Sequence, residues 1–401
     1  MKILHVITGL NVGGAETMLA KLLEYQNKVG CGLRNTVVSL AAPGAIADRV
    51  RAQAQLETVG MSEGVPSLPA AWRLTRIARR ADPDLVIGWM HHGNLAASFA
   101  RSMLGGRRPL IWNVRHSVAD IREEKPLTRI VLKLGAALSR GPDAILYNSS
   151  VAAAQYEGLG YDPGRAMVIP NGFDCDRHRP RAGAGEALRA RHGVAPGTTL
   201  VGMVARLHPM KDPGTLAEAV RLARGQGADI HLLLCGRGME SPPPELARAL
   251  AEALPQDRLT LVGQSGDLAD WMPGLDILAL PSAWGEGFPN TLAEAMASGV
   301  PCITTDVGDG GWIVGETGRV VPTRDPEAMA AALVELIAMG PEGRQRLGEA
   351  ARTRVVENFA LEQVGARITA LYAEIGARRS GRNGQGDAAG ARAALPGSIR
   401  Q

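Results

Sequence analysis

Cysteine is scarce in this chain: Cys31, Cys175, Cys235 and Cys302 are the only four in 401 residues. They are widely scattered and form no CxxC, so their spacing offers neither a zinc site nor a disulfide framework. Reduced thiols in a cytoplasmic protein are the expectation. Long apolar runs are missing too, and nothing approaches the ~18 residues of a membrane span. The opening MKILHVITGL is apolar only briefly and runs into NVGGAE, not into a small-residue cleavage site. It reads as a first strand and not as a signal peptide. Charge of one sign is not in large excess: 44 Lys and Arg against 40 Asp and Glu leave +4, with a pI near 9.0. That excludes a dedicated nucleic-acid binder and suits a phosphate-bearing ligand or an anionic membrane surface. No GxGxxG fingerprint for a dinucleotide occurs. No carboxylate cluster suggests a metal, and no cofactor is implied.

The chain is too long for one ordinary core, and two domains are the natural expectation. An apolar fraction of 45 % with 21 % charged residues marks a soluble globular protein. Short apolar runs alternate with helical periods: strands at Ile3–Ile7, Asn35–Leu40, Leu85–Trp89, Leu110–Val114 and Ala144–Tyr147, with helical stretches such as Glu16–Val29 and Leu68–Arg80 between them. This βαβα spacing of Val-, Ile- and Leu-rich strands predicts a parallel sheet covered on both faces. The pattern pauses at VIPNGFDCDRHRPRAGAG, Val168 to Gly185, and restarts through TLVGMVARL, IHLLLCGRG, LTLVGQ, DILALPS, VPCITTD and GRVVPTRD. A second domain of the same class follows. Helices at Pro326–Met339, Pro341–Asn358 and about Leu361–Ala377 close the fold. The glycine-rich tail from 378 to 401 holds too little apolar bulk to offset its ordering entropy and is expected to be disordered. The domains are therefore drawn at 1–175 and 186–358. The two halves share architecture but no sequence repeat.

Two such sheets facing each other make a cleft, and ligands of open α/β sheets sit beyond the carboxyl ends of the strands. After the first strand, Gly9, Gly13 and Gly14 lead into a helix near Ala15, a loop that lets backbone N–H groups approach an anion or that simply makes a tight turn. His91 or His92 follows the strand Leu85–Trp89, and Arg115 and His116 follow the next. DPD, Asp82–Asp84, precedes its strand and lies at the wrong end of the sheet for metal chemistry. In the second half, Arg206 and Lys211 follow the strand Leu200–Val204, with Lys211 read at a helix start. The helix dipole disfavours cations there, and a bound diphosphate would resolve the conflict. Asn290 is placed to cap the helix after Pro281, leaving the amides of Thr291, Leu292 and Ala293 free. Glu294 in that first turn suits the dipole. Glu286, held in a Gly-rich loop just before it, has no such structural reason.

With the Glu286 and Glu294 pair in EGFPNTLAEAMASGVP, VARLHPMKD, NVGGAE and PNGFD in view, the chain from Met1 to about Ala377 resembles the retaining glycosyltransferases of family 4, which have the GT-B fold: two Rossmann-like domains across a cleft, with a C-terminal helix crossing back. A shortened loop, TTDVGDGGWIVGETG, with WMHHGN and NVRHS, resembles members from bacterial surface-polysaccharide assembly. The resemblance implies that Glu294 holds the donor ribose and Glu286 the transferred sugar. It implies that Arg206 and Lys211 bind the diphosphate, aided by the loop at Gly13 and Gly14 and by the stretch Gly287, Phe288, Pro289, Asn290 and Thr291 through its free backbone N–H groups. Val262, Gly263 and Gln264 would read the base, and His92 the sugar. The implied reaction is metal-independent transfer from a nucleotide-diphosphate sugar, UDP-linked by family habit, to a hydroxyl of a lipid-linked or growing glycan. The leaving phosphate itself would accept the acceptor's proton. Two basic amphipathic stretches, Arg73 to Arg80 and Leu127 to Arg140, suit either an anionic membrane face or a solvated helix surface. A nucleotide-sugar isomerase or epimerase of the same architecture, or a non-catalytic nucleotide-sugar binder, is the alternative.

Overall fold

The computed structural model describes residues 1–61, 67–266 and 268–381. Two all-parallel sheets organise it. The first contains β1 (Lys2–Ile7), β2 (Arg34–Ser39), β3 (Gln55–Thr58), β4 (Leu85–Trp89), β5 (Leu110–Val114), β6 (Ala144–Tyr147) and β7 (Ala166–Val168), in the order β3-β2-β1-β4-β5-β6-β7. The second contains β8 (Thr199–Val204), β9 (Ile230–Cys235), β10 (Leu259–Val262), β11 (Ile277–Leu280), β12 (Cys302–Thr305) and β13 (Arg319–Val321), in the order β10-β9-β8-β11-β12-β13. Every residue of the central strands β4 and β11 is buried, because helices cover both faces. Each sheet reverses its strand order between two central neighbours, β1 and β4 in one and β8 and β11 in the other. The loops beyond those strands open a crevice there.

The longer helices used below are α1 (Gly14–Lys28), α2 (Leu68–Ala81), α3 (Met90–Met103), α4 (Pro126–Leu138), α5 (Ser150–Gly158), α6 (Pro213–Gly225), α7 (Asn290–Ala297), α8 (Gly340–Phe359) and α9 (Leu361–Gly381). Local chemistry sets several of their ends. Ser67 Oγ accepts from Ala70 N at 3.3 Å to start α2, and Asp82 ends it in the left-handed region at φ 41°. The DPD turn that follows lies at the amino edge of the sheet, where Asp84 Oδ2 accepts from Lys2 N at 2.8 Å. Helix α3 starts directly at the end of β4, with Met90 at φ 64°. Gly93 lets it settle onto β1, since a Cβ there would stand 2.6 Å from Val6 O.

Each lobe has a core on both faces of its sheet. The chain passes between lobes near Phe173 and returns near Ala360, and the two crossings lie side by side: Phe173 N donates to Phe359 O at 2.9 Å and Leu361 N to Phe173 O at 2.8 Å. Helix α9 then packs on the first lobe. Its Val364, Ile368, Tyr372 and Ile375 are buried against Ile3, Leu19 and Leu23, each contributing about 1.5–3 kcal/mol. The helix crosses back as expected and runs a turn further than predicted. Residues 382–401 of the expected disordered tail lie outside the described residues. No described helix is long and apolar enough to cross a membrane.

Candidate active site

Strand β11 delivers the chain to Ser282 and then to Glu286, whose side chain is only 9 % exposed. Ser282 Oγ donates to Glu286 Oε1 at 2.5 Å, and Lys211 Nζ bonds the same oxygen. Ala283 N donates to Met210 O at 2.8 Å, tying this loop to the turn that carries Lys211. From the other side, Gly308 at φ 60° lies so close that a Cβ would stand 2.5 Å from Glu286 O. The carboxylate is thus held by its own loop and by the loop after β8, while the loop after β12 packs on the Glu286 backbone.

Lys211 does not sit on the helix start as expected. It ends a 3-10 turn, Pro209–Lys211, while Asp212 caps α6 by accepting from Thr215 N at 3.3 Å. Its charge is met by Glu286, so the conflict inferred from the sequence is relieved without a ligand. Arg206 is exposed, its Nη2 touches only the Met210 sulfur at 3.9 Å, and it forms no ion pair among the described residues.

Asn290 is not a cap. It is the first residue of α7, after Pro289, and its side chain instead accepts from Asn171 Nδ2 at 2.7 Å across the lobes. One of the expected free amides is taken, because Leu292 N donates to Pro289 O at 3.2 Å. The amides of Asn290 and Thr291 keep no intrahelical acceptor. One turn on, burial pushes the Glu294 carboxyl up, while Lys21 and Arg177 pull it down. Lys21 comes from α1 in the opposite lobe, its Nζ 5.2 Å from the centre of the Phe173 ring, and burial lowers it. A cavity of about 150 Å³ separates Lys21, Thr17 and Gly13 from Asn290 and Glu294.

A second interlobe cavity of about 180 Å³ lies between Arg115, His116 and Ser117 on one side and Gly285, Gly287 and Phe288 on the other. Gly14, Asn171 and Asn290 line both cavities. The sequence had offered Arg115 and His116 only as rim charge. Their place directly after β5, the next strand out from the β1 and β4 reversal, was the signal that could have ranked them higher. His116 Nε2 pairs with Glu124 at 2.8 Å. His91 is internal, stacked on Tyr156 and bonded to its hydroxyl. Burial, with help from His116 and His92, pushes it down to about 3. His92 is half-buried, its Nε2 has no partner, and burial lowers it. It lines neither cavity. Of the expected base-reading loop, Val262 O is already taken by Gly236 N at 3.0 Å and Gly263 O by the Cys235 thiol at 3.5 Å, while Gln264 is exposed.

The lobes also latch. Asp309, buried in the loop after β12, accepts from Ser150 N at 3.0 Å, from Ser150 Oγ at 2.8 Å and from Val151 N at 3.4 Å. It caps α5 of the opposite lobe, while its own amide donates to Gly287 O at 2.8 Å. Among the described residues no three His, Cys, Asp or Glu side chains gather as a metal-holding group.

Residues 12–177 match the family described as Glycosyltransferase Family 4, and residues 198–339 match Glycosyl transferases group 1. The lipopolysaccharide core biosynthesis mannosyltransferase LpsB of Rhizobium meliloti is 32 % identical over 59 % of this chain and 66 % of its own length. A D-inositol 3-phosphate glycosyltransferase of Rhodococcus erythropolis is 34 % identical over 55 % of this chain and 51 % of its own. The chain thus spans about half to two thirds of the length of these curated relatives. The structure of HepE from Anabaena in complex with UDP superposes with a TM-score of 0.79 at 22 % identity, covering 93 % of this chain and all of that one. It shares the GT-B fold.

Proposed function

The chain belongs to glycosyltransferase family 4, and from that premise we propose that it transfers a sugar from a nucleotide-diphosphate sugar to a hydroxyl, in the assembly of an envelope polysaccharide. One observation carries this reading: a buried carboxylate, Glu286, in the loop that leads to the open amides of α7, is bonded to Lys211, and the loop that carries Lys211 also carries an unpaired Arg206. As the donor's glycosidic bond breaks, the departing diphosphate gains negative charge. Arg206, Lys211 and the amides of Gly14, Asn290 and Thr291 meet that charge, and each fixed donor of this kind is worth about 3 kcal/mol in the transition state. Lys211 leaves Glu286 for the diphosphate when the donor binds, and Glu286 turns to the hydroxyls of the transferred sugar. Glu294 takes the ribose and the loop at Val262–Gln264 the base. Configuration is retained by a front-face route, in which the leaving phosphate accepts the acceptor's proton and no metal is required. UDP in the HepE structure supports a uridine donor. Neither cavity alone reaches the roughly 300 Å³ of a small-molecule pocket, so the donor spans both and extends toward the exposed Arg206.

The acceptor is a lipid-linked or growing glycan. The two basic stretches differ in what supports membrane contact. In α2, Leu74 and Ile77 belong to the core. In α4, Leu127, Ile130, Leu134 and Leu138 form an exposed stripe near the exposed Lys125, Lys133 and Arg140. That face suits an anionic bilayer, and cosedimentation with anionic against neutral vesicles tests it. The principal test is a thermal-shift series of nucleoside diphosphates and their sugars, since ligand binding raises stability by RT ln(1 + [L]/Kd). Turnover of the selected labelled donor is then followed in EDTA, with and without acceptor. No shift with any nucleotide overturns the reading. Turnover without acceptor points to an isomerase, and activity lost in EDTA and restored by manganese refutes the metal-free route.

A further inference from the structure

Arg115 poses a question that the proposed reaction leaves open. Arg115 lines the interlobe cavity at the end of β5, yet no Asp or Glu pairs with it among the described residues. Nε donates to Asn113 Oδ1 at 3.0 Å and Nη1 bonds Asn171 Oδ1. The group lies over the Trp89 ring, 5.5 Å from its centre. Nη2 is buried and has no partner at all. Both hydrogen-bond acceptors are neutral and Trp89 offers only its π face, so no anion faces the charge. Burial pulls its pKa down to about 10, the sign of a cation held away from water without a counter-charge. A buried charge left in this state is costly unless something pairs with it.

The surroundings say what would pair. Gly14 and Asn290 line the same cavity and bring the amide-rich starts of α1 and α7 to it. Asn171 joins Arg115 directly to Asn290, accepting from the first and donating to the second at 2.7 Å. Asn148, also on the cavity wall, has a buried Oδ1 with no donor. One unsatisfied cation and one unsatisfied acceptor, opposite the Gly285 and Gly287 loop, match a phosphoryl group attached to a hydroxyl-bearing ring.

We propose that Arg115 is an anion-binding residue supplied by the first lobe, and that this cavity receives the glycosyl phosphate portion of the substrate. The assignment rests on the transferase reading above and adds a cation that the second lobe does not provide. The fork of the guanidinium takes the phosphoryl oxygens, and Asn148 takes a sugar hydroxyl. The phosphoryl group comes from the donor's diphosphate or from a phosphorylated acceptor, and the two sources separate experimentally.

Titration calorimetry with UDP, UMP, GDP, GMP and glucose 1-phosphate is run on the wild-type chain and on Arg115→Gln. Loss of one charge-assisted bond predicts at least about tenfold weaker binding. Loss with a diphosphate but not with its monophosphate supports the donor as source, and loss with glucose 1-phosphate alone supports the acceptor. A folded Arg115→Gln protein that binds all of these as the wild type does overturns the inference and leaves the transferase reading intact. A wild-type chain that binds none of them removes both. Should Arg115→Gln not fold, Arg115→Lys keeps the charge and loses the fork. It is expected to bind about threefold to tenfold more weakly, and wild-type affinity there overturns the proposal equally.

Discussion

Replacing Lys211 by methionine removes the cation that the structure brings to Glu286. The two side chains are 16 % and 9 % exposed, so the orphaned carboxylate stays largely out of water. Breaking a fully buried pair costs about 3–5 kcal/mol. With the residual exposure and the Ser282 bond retained, about 2–3 kcal/mol is expected here. For a lobe of this size that is a fall in Tm of about 5–10 °C. Glu286→Gln alone strands the lysine and costs a similar amount. In the double variant Lys211→Met/Glu286→Gln no charge is left, and the glutamine oxygen still accepts from Ser282. At least half of the loss should return, which is a coupling of about 2 kcal/mol in the cycle. Differential scanning calorimetry on the four proteins measures it. Turnover should stay abolished in the double variant, separating the holding of Glu286 from the handling of the leaving group. Additive losses, with coupling below about 0.5 kcal/mol, would refute the pairing.

Arg206→Ala should leave Tm within about 1 °C, because the side chain is exposed and touches only a methionine sulfur, yet slow turnover about 100-fold. Steady-state kinetics within threefold of wild type contradict its role. Asp309→Ala removes three bonds to the start of α5, a capping contribution of about 0.5–2 kcal/mol. Small-angle scattering should report a larger radius of gyration as the lobes part, and an unchanged curve counts against the latch. Burial holds His5 and His178 at about 4 and His91 at about 3. These imidazoles stay neutral in the fold but protonate in the unfolded chain below about pH 6.5. The unfolded state binds more protons there, so stability is lost as pH falls from about 6.5 toward 4, by up to about 1.4 kcal/mol per histidine per pH unit. A melting series from pH 7.5 to 5 in His178→Gln should show a shallower decline than in wild type, and parallel curves reject the assignment.

Much of this architecture was legible in the chain itself. Leu85–Trp89, Leu110–Val114 and Ala144–Tyr147 were read to the residue, because inner parallel strands are apolar on both faces and bounded by turns. Gln55–Thr58 and Ala166–Val168 escaped, since short edge strands with half-exposed residues carry no such run. The EGFP loop and VARLHPMKD were visible as strand-end chemistry. Their contact was not: Lys211 and Glu286 are 75 positions apart, and only the adjacency of β8 and β11 brings them together. Asn290 looked like a cap because its residue type suits one, but Asn171 from the other lobe outcompetes that role. A partner 119 positions away leaves no local trace.

The paired crossings at Phe173 and Ala360 have a mechanical consequence. One tether between two bodies lets them swivel, slide and twist about it. Two tethers bonded edge to edge form a short strip, which resists torsion and shear and bends readily in one direction only. The halves of this molecule can therefore separate and meet again along a single arc, so that Asn171 finds Asn290 and Ser150 finds Asp309 in the same alignment after every excursion.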